Sequence, residues 1–134
     1  MFQNDYMLNE VRKFAELLAR LLGLKADGKH EEYNDQFNEI LQKEYDTEIE
    51  TLLTLDVESF IDTLKQSGYS TEKLNALSQL LYVFAQPFKA DEETVLILKK
   101  VLCIFDLLEN EHHYQSFENI DKRKTIYHYF NTYA

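Results

Sequence analysis

The chain has 134 residues, of which 45% are hydrophobic and 13% aromatic, and its formal net charge is −10. This size and composition predict one folded domain spanning residues 1–134, since so short a chain buries one core and leaves little room for a second. The acidic balance disfavours nucleic-acid and anionic-membrane surfaces, which need clustered Lys and Arg. No apolar stretch is long enough to span a bilayer, the first residues lack the pattern of a signal peptide, and Cys103, the single cysteine, cannot form an internal disulfide. These features predict a cytoplasmic protein.

The first two predicted helices lie on either side of a glycine turn at Gly28. The first runs from about Phe2 to Leu24, and its apolar residues recur every three or four positions, which indicates one broad buried face. That face comprises Met7, Val11, Phe14, Leu18 and Leu21, widened by Leu8, Ala15 and Leu22. The second helix, from about His30 to Tyr45, is predicted to bury Tyr33, Phe37, Ile40 and Leu41 and to turn an acidic face outward.

Two short helices are predicted next, separated by a bend near Leu55, with Asp56 as the cap of the second. Gly68 suits the left-handed conformation that ends a helix, and Ser70 or Thr71 suits the cap of the helix that follows. That helix ends before Pro87, because a proline ring disfavours helical geometry at the residue before it.

The last two predicted helices are apolar in different ways. The helix from Val95 to Leu108, capped by Asp91, is apolar on nearly every side, which predicts a central position in the core. The final helix, from about Phe117 to Tyr133, is expected to bring Phe117, Ile120, Ile126, Tyr127 and Phe130 to the core. No segment has the alternating pattern of a strand.

Polar turns near Gly28, Gly68 and His112 recur about every forty residues. The pattern predicts an all-α fold of six to seven helices that form about three antiparallel helical hairpins, the periodicity of a helical-repeat protein.

Two segments carry a resemblance to a known family. The stretches "LLARLLGLKADGKHEEYNDQFNEIL" and "LLTLDVESF" resemble a family of uncharacterised bacterial proteins that are described as tetratricopeptide-like. The match is specific over the first sixty residues, and Tyr33 stands where the tetratricopeptide repeat usually has alanine. The resemblance implies an all-helical fold whose hairpins stack in a right-handed, tetratricopeptide-like arrangement, and it carries no catalytic residues.

The segment "ENEHHYQSF" holds the only candidate chemical site. Glu109 and His112 have the E-x-x-H spacing of di-iron carboxylate bundles, but the chain lacks the second such unit and the further glutamates that those sites need. Glu109, His112, His113 and His128 form a weak alternative set of zinc ligands. Adjacent histidines in a polar turn mostly point apart, so the segment is interpreted as the turn between two helices, with no metal and no cofactor.

The end of the chain is crowded with aromatic residues, namely Tyr127, Tyr129, Phe130 and Tyr133. Rings at nearly consecutive positions of one helix cannot all face one core, so some must be exposed. They indicate either a partner surface, which a protein, a peptide or a second copy of the chain covers, or a frayed end.

These patterns favour a non-enzymatic helical-repeat module that binds a protein or peptide, or itself as a homodimer. The sequence contains neither the glycine motif of a phosphate-binding loop nor that of a nucleophile elbow. Cys103 lies in an apolar run, which predicts a buried, inert thiol. The alternative hypothesis is a small helical protein that binds a metal or ligand near Glu109, His112 and His113.

Overall fold

The computed structural model describes the backbone of residues 2–133 and the side chains of residues 8–133. Within these residues the chain forms seven helices and no strand, which confirms the predicted all-α fold. The helices are α1 (Phe2–Ala26), α2 (His30–Tyr45), α3 (Ile49–Thr54), α4 (Val57–Ser67), α5 (Thr71–Ala85), α6 (Glu92–Glu111) and α7 (Phe117–Tyr133). None of the described helices is both long enough and apolar enough to cross a membrane.

The chain divides into two compact units at the predicted bend. Helices α1 to α3 form the first unit, which ends at Thr54, and α4 to α7 form the second, which begins at Leu55. In the first unit α1 packs against α2, and in the second α6 packs against α5, α4 and α7. The single domain over residues 1–134 and the tetratricopeptide-like stacking stay predictions.

Three of the predicted helix caps are confirmed by their hydrogen bonds. The side chains of Asp56, Ser70 and Asp91 accept bonds from backbone N–H groups three residues later, at 2.7, 3.1 and 2.8 Å. Gly68 follows α4 with φ +71°, the left-handed conformation that favours glycine. Gln86 is extended beside Pro87 and ends α5.

The core follows the predicted pattern in α2 and α6. All four side chains assigned to the core of α2 are buried, namely Tyr33, Phe37, Ile40 and Leu41. The buried residues of α6 span about half of its circumference, and half-buried residues such as Val95 and Cys103 widen the covered arc, as expected for the central helix of its unit. Its buried set includes a charged residue, Lys100, which is only 1% exposed.

The core assignments for α1 and α7 are partly wrong. In α1, Phe14 and Leu21 are buried, whereas Leu8, Val11, Ala15 and Leu22 are exposed and Leu18 is half-buried. The side chain of Met7 lies outside the described residues. In α7, Ile126 is buried as predicted and Phe130 is half-buried. Phe117 is 91% exposed, Ile120 and Tyr127 are also exposed, and Asn119 and Tyr129 are buried in their place. Hydrophobicity alone predicts the wrong buried face for α7, because the polar residue Asn119 lies on the face that is buried.

Candidate functional site

A groove of about 620 Å³ lies beside the last turns of α7 and the first turns of α6. Both helix ends are within the second unit, and three of the four aromatic residues that the sequence singles out line this groove. The lining consists of Ala90, Asp91, Glu92, Val95, Lys99, Tyr129, Phe130 and Tyr133. The groove therefore combines an aromatic wall from α7 with a partly charged wall from α6.

Tyr129 anchors the aromatic wall in the core. Its side chain is 3% exposed, its hydroxyl donates a short hydrogen bond to the carbonyl of Lys89, and its ring meets the ring of Phe88 edge to face at 5.5 Å. A buried tyrosine with a satisfied hydroxyl is a rigid support. The ring centroids of Phe130 and Tyr133 lie 5.8 and 5.4 Å from that of Tyr129, so the anchor also positions its two neighbours.

Tyr133 forms the solvent-exposed part of the aromatic wall. It is 62% exposed, and Phe130 is half-buried. Residues 129, 130 and 133 are spaced by one and three positions, which places them on neighbouring parts of one helix surface. Tyr127 is also exposed but does not line the groove, so its place in a partner surface stays a prediction. Helix α7 remains helical through Tyr133.

The wall that α6 contributes carries charge at both ends. Asp91 and Glu92 lie at the start of the helix and Lys99 lies two turns further along. Hydrogen bonds from the Thr94 side chain and backbone lower the pKa of Asp91, which keeps its carboxylate charged. The sequence identifies Asp91 only as a helix cap, because its position opposite α7 depends on tertiary packing.

Two sets of polar contacts hold α7 in register. Arg123 donates to Asp106 Oδ1 at 2.9 Å and to Glu109 Oε1 at 3.1 Å, and its guanidinium lies over the ring of Phe105 at 5.6 Å. Asn119, which is buried, joins α7 to α5 through hydrogen bonds with Asn75 and Gln79. A helix fixed in this way presents its aromatic residues at a defined angle to α6.

The histidine segment forms the predicted turn. Helix α6 ends at Glu111, His112 caps it, and His113 has a left-handed φ of 52°. Glu109 is bound to Arg123, and His112 Nδ1 lies 2.9 Å from the hydroxyl of Thr71. His113 and His128 are exposed. Among the described residues, no three His, Cys, Asp or Glu side chains lie close enough together to hold a metal ion.

A smaller cavity of about 370 Å³ lies beside the same turn. His112, Glu111 and Lys65 contribute its polar lining, and Leu64, Gly68, Tyr69 and Leu107 complete it. Lys65 Nζ and Glu111 Oε1 are 3.4 Å apart, so the two charged groups neutralise each other. The cavity has the mixed lining of a small-ligand site without converging catalytic groups.

Cys103 is half-buried rather than fully buried as predicted. Burial raises the pKa of its thiol, and the carboxylate of Asp106 raises it further. Both effects keep the thiol protonated, the unreactive form.

Comparisons of the chain with known protein families, with curated proteins and with solved structures found no match. The resemblance to the tetratricopeptide-like bacterial family therefore stays a prediction.

Proposed function

We propose that this protein is a non-enzymatic, cytoplasmic interaction module that binds a segment of a protein partner in the groove between α6 and α7. Stacked, tetratricopeptide-like hairpins form the scaffold. The observation that carries the proposal is the pairing of a core-anchored Tyr129 with an exposed Tyr133 along one wall of the groove. Rigid aromatic side chains at the edge of a cleft are typical of peptide-binding surfaces.

The dimensions suit a short peptide. From Glu92 to Lys99 the groove follows α6 for about 10 Å, at 1.5 Å per helical residue. An extended peptide rises by about 3.3 Å per residue, so the groove holds about three residues. The apolar centre, formed by Val95 and the rings of Phe130 and Tyr133, suits one hydrophobic side chain of that peptide.

The charges set a direction for the peptide. Asp91 and Glu92 attract a basic residue at one end of the groove, and Lys99 attracts an acidic residue or a terminal carboxylate at the other. We infer a peptide ligand that carries a basic residue, an apolar residue and an acidic residue in succession. Reversing its sequence brings like charges together, which weakens binding.

A random peptide library displayed on phage and panned on the intact chain tests the proposal. Enriched peptides are expected to contain an apolar residue flanked by opposite charges, and each is then synthesised and measured by fluorescence polarisation. Val95→Glu is expected to weaken binding at least about tenfold, because it places a charge at the apolar centre. Glu93→Gln, in the same turn and outside the lining, is the matched control. A library that yields no binder, or binders indifferent to Val95→Glu, would contradict the proposal.

A second candidate function is the binding of a small ligand in the cavity beside His112, which the mixed lining of that cavity favours. A fragment library screened by protein-detected NMR distinguishes the two functions. Hits that shift the amides of Tyr69 and His112 support the second candidate, and hits confined to residues 129–133 support the first.

A further inference from the structure

Helix α1 is apolar over a wider arc than α2 covers. Advancing 100° per residue, its apolar side chains span more than half of the circumference. Phe14 and Leu21 mark the covered half, and the ring of Phe14 packs 6.1 Å from that of Tyr45. The other half carries an exposed stripe, which consists of Leu8, Val11, Ala15, Ala19 and Leu22. Leu8, Val11 and Leu22 in this stripe are 62%, 51% and 44% exposed.

The order of residues in the exposed stripe is nearly the same in both directions. Its spacings are three, four, four and three, with Ala15 at the centre and a leucine at each end. When a second copy is laid antiparallel across Ala15, Leu8 of each copy meets Leu22 of the other, and Val11 meets Ala19. A twofold interface requires this reciprocity, in which residue i contacts j and j contacts i. Small residues at the centre let the two backbones approach closely, and Val11 fits over the small Ala19.

The charges beside the exposed stripe are also self-complementary. Arg12 and Glu16 flank the same edge of it, and both are exposed. In the antiparallel pair, Arg12 of one copy and Glu16 of the other are offset by only about 3 Å along the axis, whereas the two Arg12 residues are about 9 Å apart. The two Glu16 residues are also offset by about 3 Å, so two Arg12–Glu16 attractions act against one Glu16–Glu16 repulsion.

The local charge also explains why association would use this helix. Between Leu8 and Leu22 the chain has three basic residues and two acidic ones, although its net charge is −10. Elsewhere two copies repel each other, for example through the acidic outer face of α2. The stripe is thus both apolar and nearly neutral.

We propose that the exposed stripe of α1 is a homodimer interface in which two copies pack antiparallel about Ala15. This surface is separate from the groove of the proposed function, so either proposal can fail alone. One helix pair about 21 Å long is a small interface, which predicts a weak, concentration-dependent dimer.

Sedimentation equilibrium of the intact chain provides the first test. The weight-average mass is expected to rise from 15.9 kDa toward twice that value between about 1 µM and about 1 mM, the range for an interface of this size. Ala15→Glu places two carboxylates face to face and is expected to raise the dissociation constant at least about tenfold. Asn9→Glu makes the same kind of change on α1 outside the stripe and is expected to leave it unchanged.

Disulfide trapping tests the antiparallel geometry, using Cys103→Ser as the background. Ala15→Cys is expected to form a covalent dimer on mild oxidation, because only its Cβ atoms face each other across the twofold axis. Leu8→Cys is not expected to form a covalent dimer, because residue 8 of one copy faces Leu22 of the other. A mass that stays at the monomer value at all concentrations, or equal cross-linking of Leu8→Cys and Ala15→Cys, would overturn the proposal.

Discussion

The buried amide of Asn119 on α7 donates a 2.8 Å hydrogen bond to Asn75 Oδ1 on α5 and accepts one at 2.9 Å from Gln79 Nε2. The network orients the helix that carries the aromatic wall. We expect Asn119→Ala to lower the free energy of unfolding by ~2 kcal/mol, because two amides lose buried partners. Urea denaturation measures the change, and Asn131→Ala, an exposed asparagine on the same helix, serves as the control. Equal effects of the two variants would mean that the network does not hold α7.

Lys100 is the buried charge of α6, and its ammonium lies over the ring of Phe60 at 5.8 Å. Burial lowers the pKa of Lys100, while Cys103 and Asp56 partly oppose this shift. Lys100→Met removes the cost of burying a charge and is expected to stabilise the fold by about 1 kcal/mol at neutral pH. Lys99→Met, which replaces the exposed neighbour, is expected to have a smaller effect.

The gain from Lys100→Met also depends on pH. A lysine with a lowered folded pKa binds fewer protons in the folded state than in the unfolded state, so wild-type stability rises with pH between the folded pKa and 10.5. The advantage of Lys100→Met therefore narrows as the pH approaches 10.5. Urea denaturation of both proteins at pH 7 and pH 10 measures the stabilisation by Lys100→Met. A stabilisation that grows with pH would contradict the lowered pKa of Lys100.

The helix caps predict acid sensitivity. Hydrogen bonds from the Ser59 backbone and side chain lower the pKa of Asp56, and bonds from Thr94 lower that of Asp91. A lowered carboxyl pKa gives stability that is present above the unfolded value of 3.8 and is lost as the pH falls through the folded value. Replacing both residues with Asn is expected to flatten the pH dependence of stability between pH 5 and pH 2, a range set by about one to two units on either side of that value. Asp62→Asn, an exposed change on α4, should leave the dependence unaltered.

The histidine turn predicts a structural role for His112. Its Nδ1 atom and the hydroxyl of Thr71 are 2.9 Å apart, so His112→Ala is expected to cost about 1 kcal/mol of stability, while His128→Ala costs less. Elemental analysis of protein purified without a histidine tag accompanies this measurement. Stoichiometric zinc, iron or manganese that is lost in His112→Ala would contradict the structural role and support a metal site.

Local signals in the sequence predict the helices and their ends well. Asp56, Ser70, Asp91 and Gly68 act on the nearest turn of backbone, so their roles follow from neighbouring residues. The prediction for α2 succeeds because the helix has one distinct apolar face.

The faces of α7 could not be predicted in the same way. Its apolar and polar residues are mixed around the helix. Asn119 is buried and Phe117 is exposed, the opposite of what their hydrophobicity predicts. Only the positions of Asn75 and Gln79 on α5 explain why an asparagine is buried there. The aromatic wall of the groove is recognisable in the sequence as a cluster of aromatic residues. The wall from α6 could not be predicted, because it depends on how α6 and α7 pack.

In the proposed binding mode, Tyr133 contacts the peptide and Tyr129 supports the aromatic wall from the core. The most direct test measures the dissociation constant of the tightest peptide from the library for Tyr133→Ala and Tyr127→Ala, two exposed tyrosines of the same helix. We expect Tyr133→Ala to weaken binding at least about tenfold, the cost of a truncated aromatic anchor, and Tyr127→Ala to leave it unchanged. Equal affinity for both variants would contradict the account.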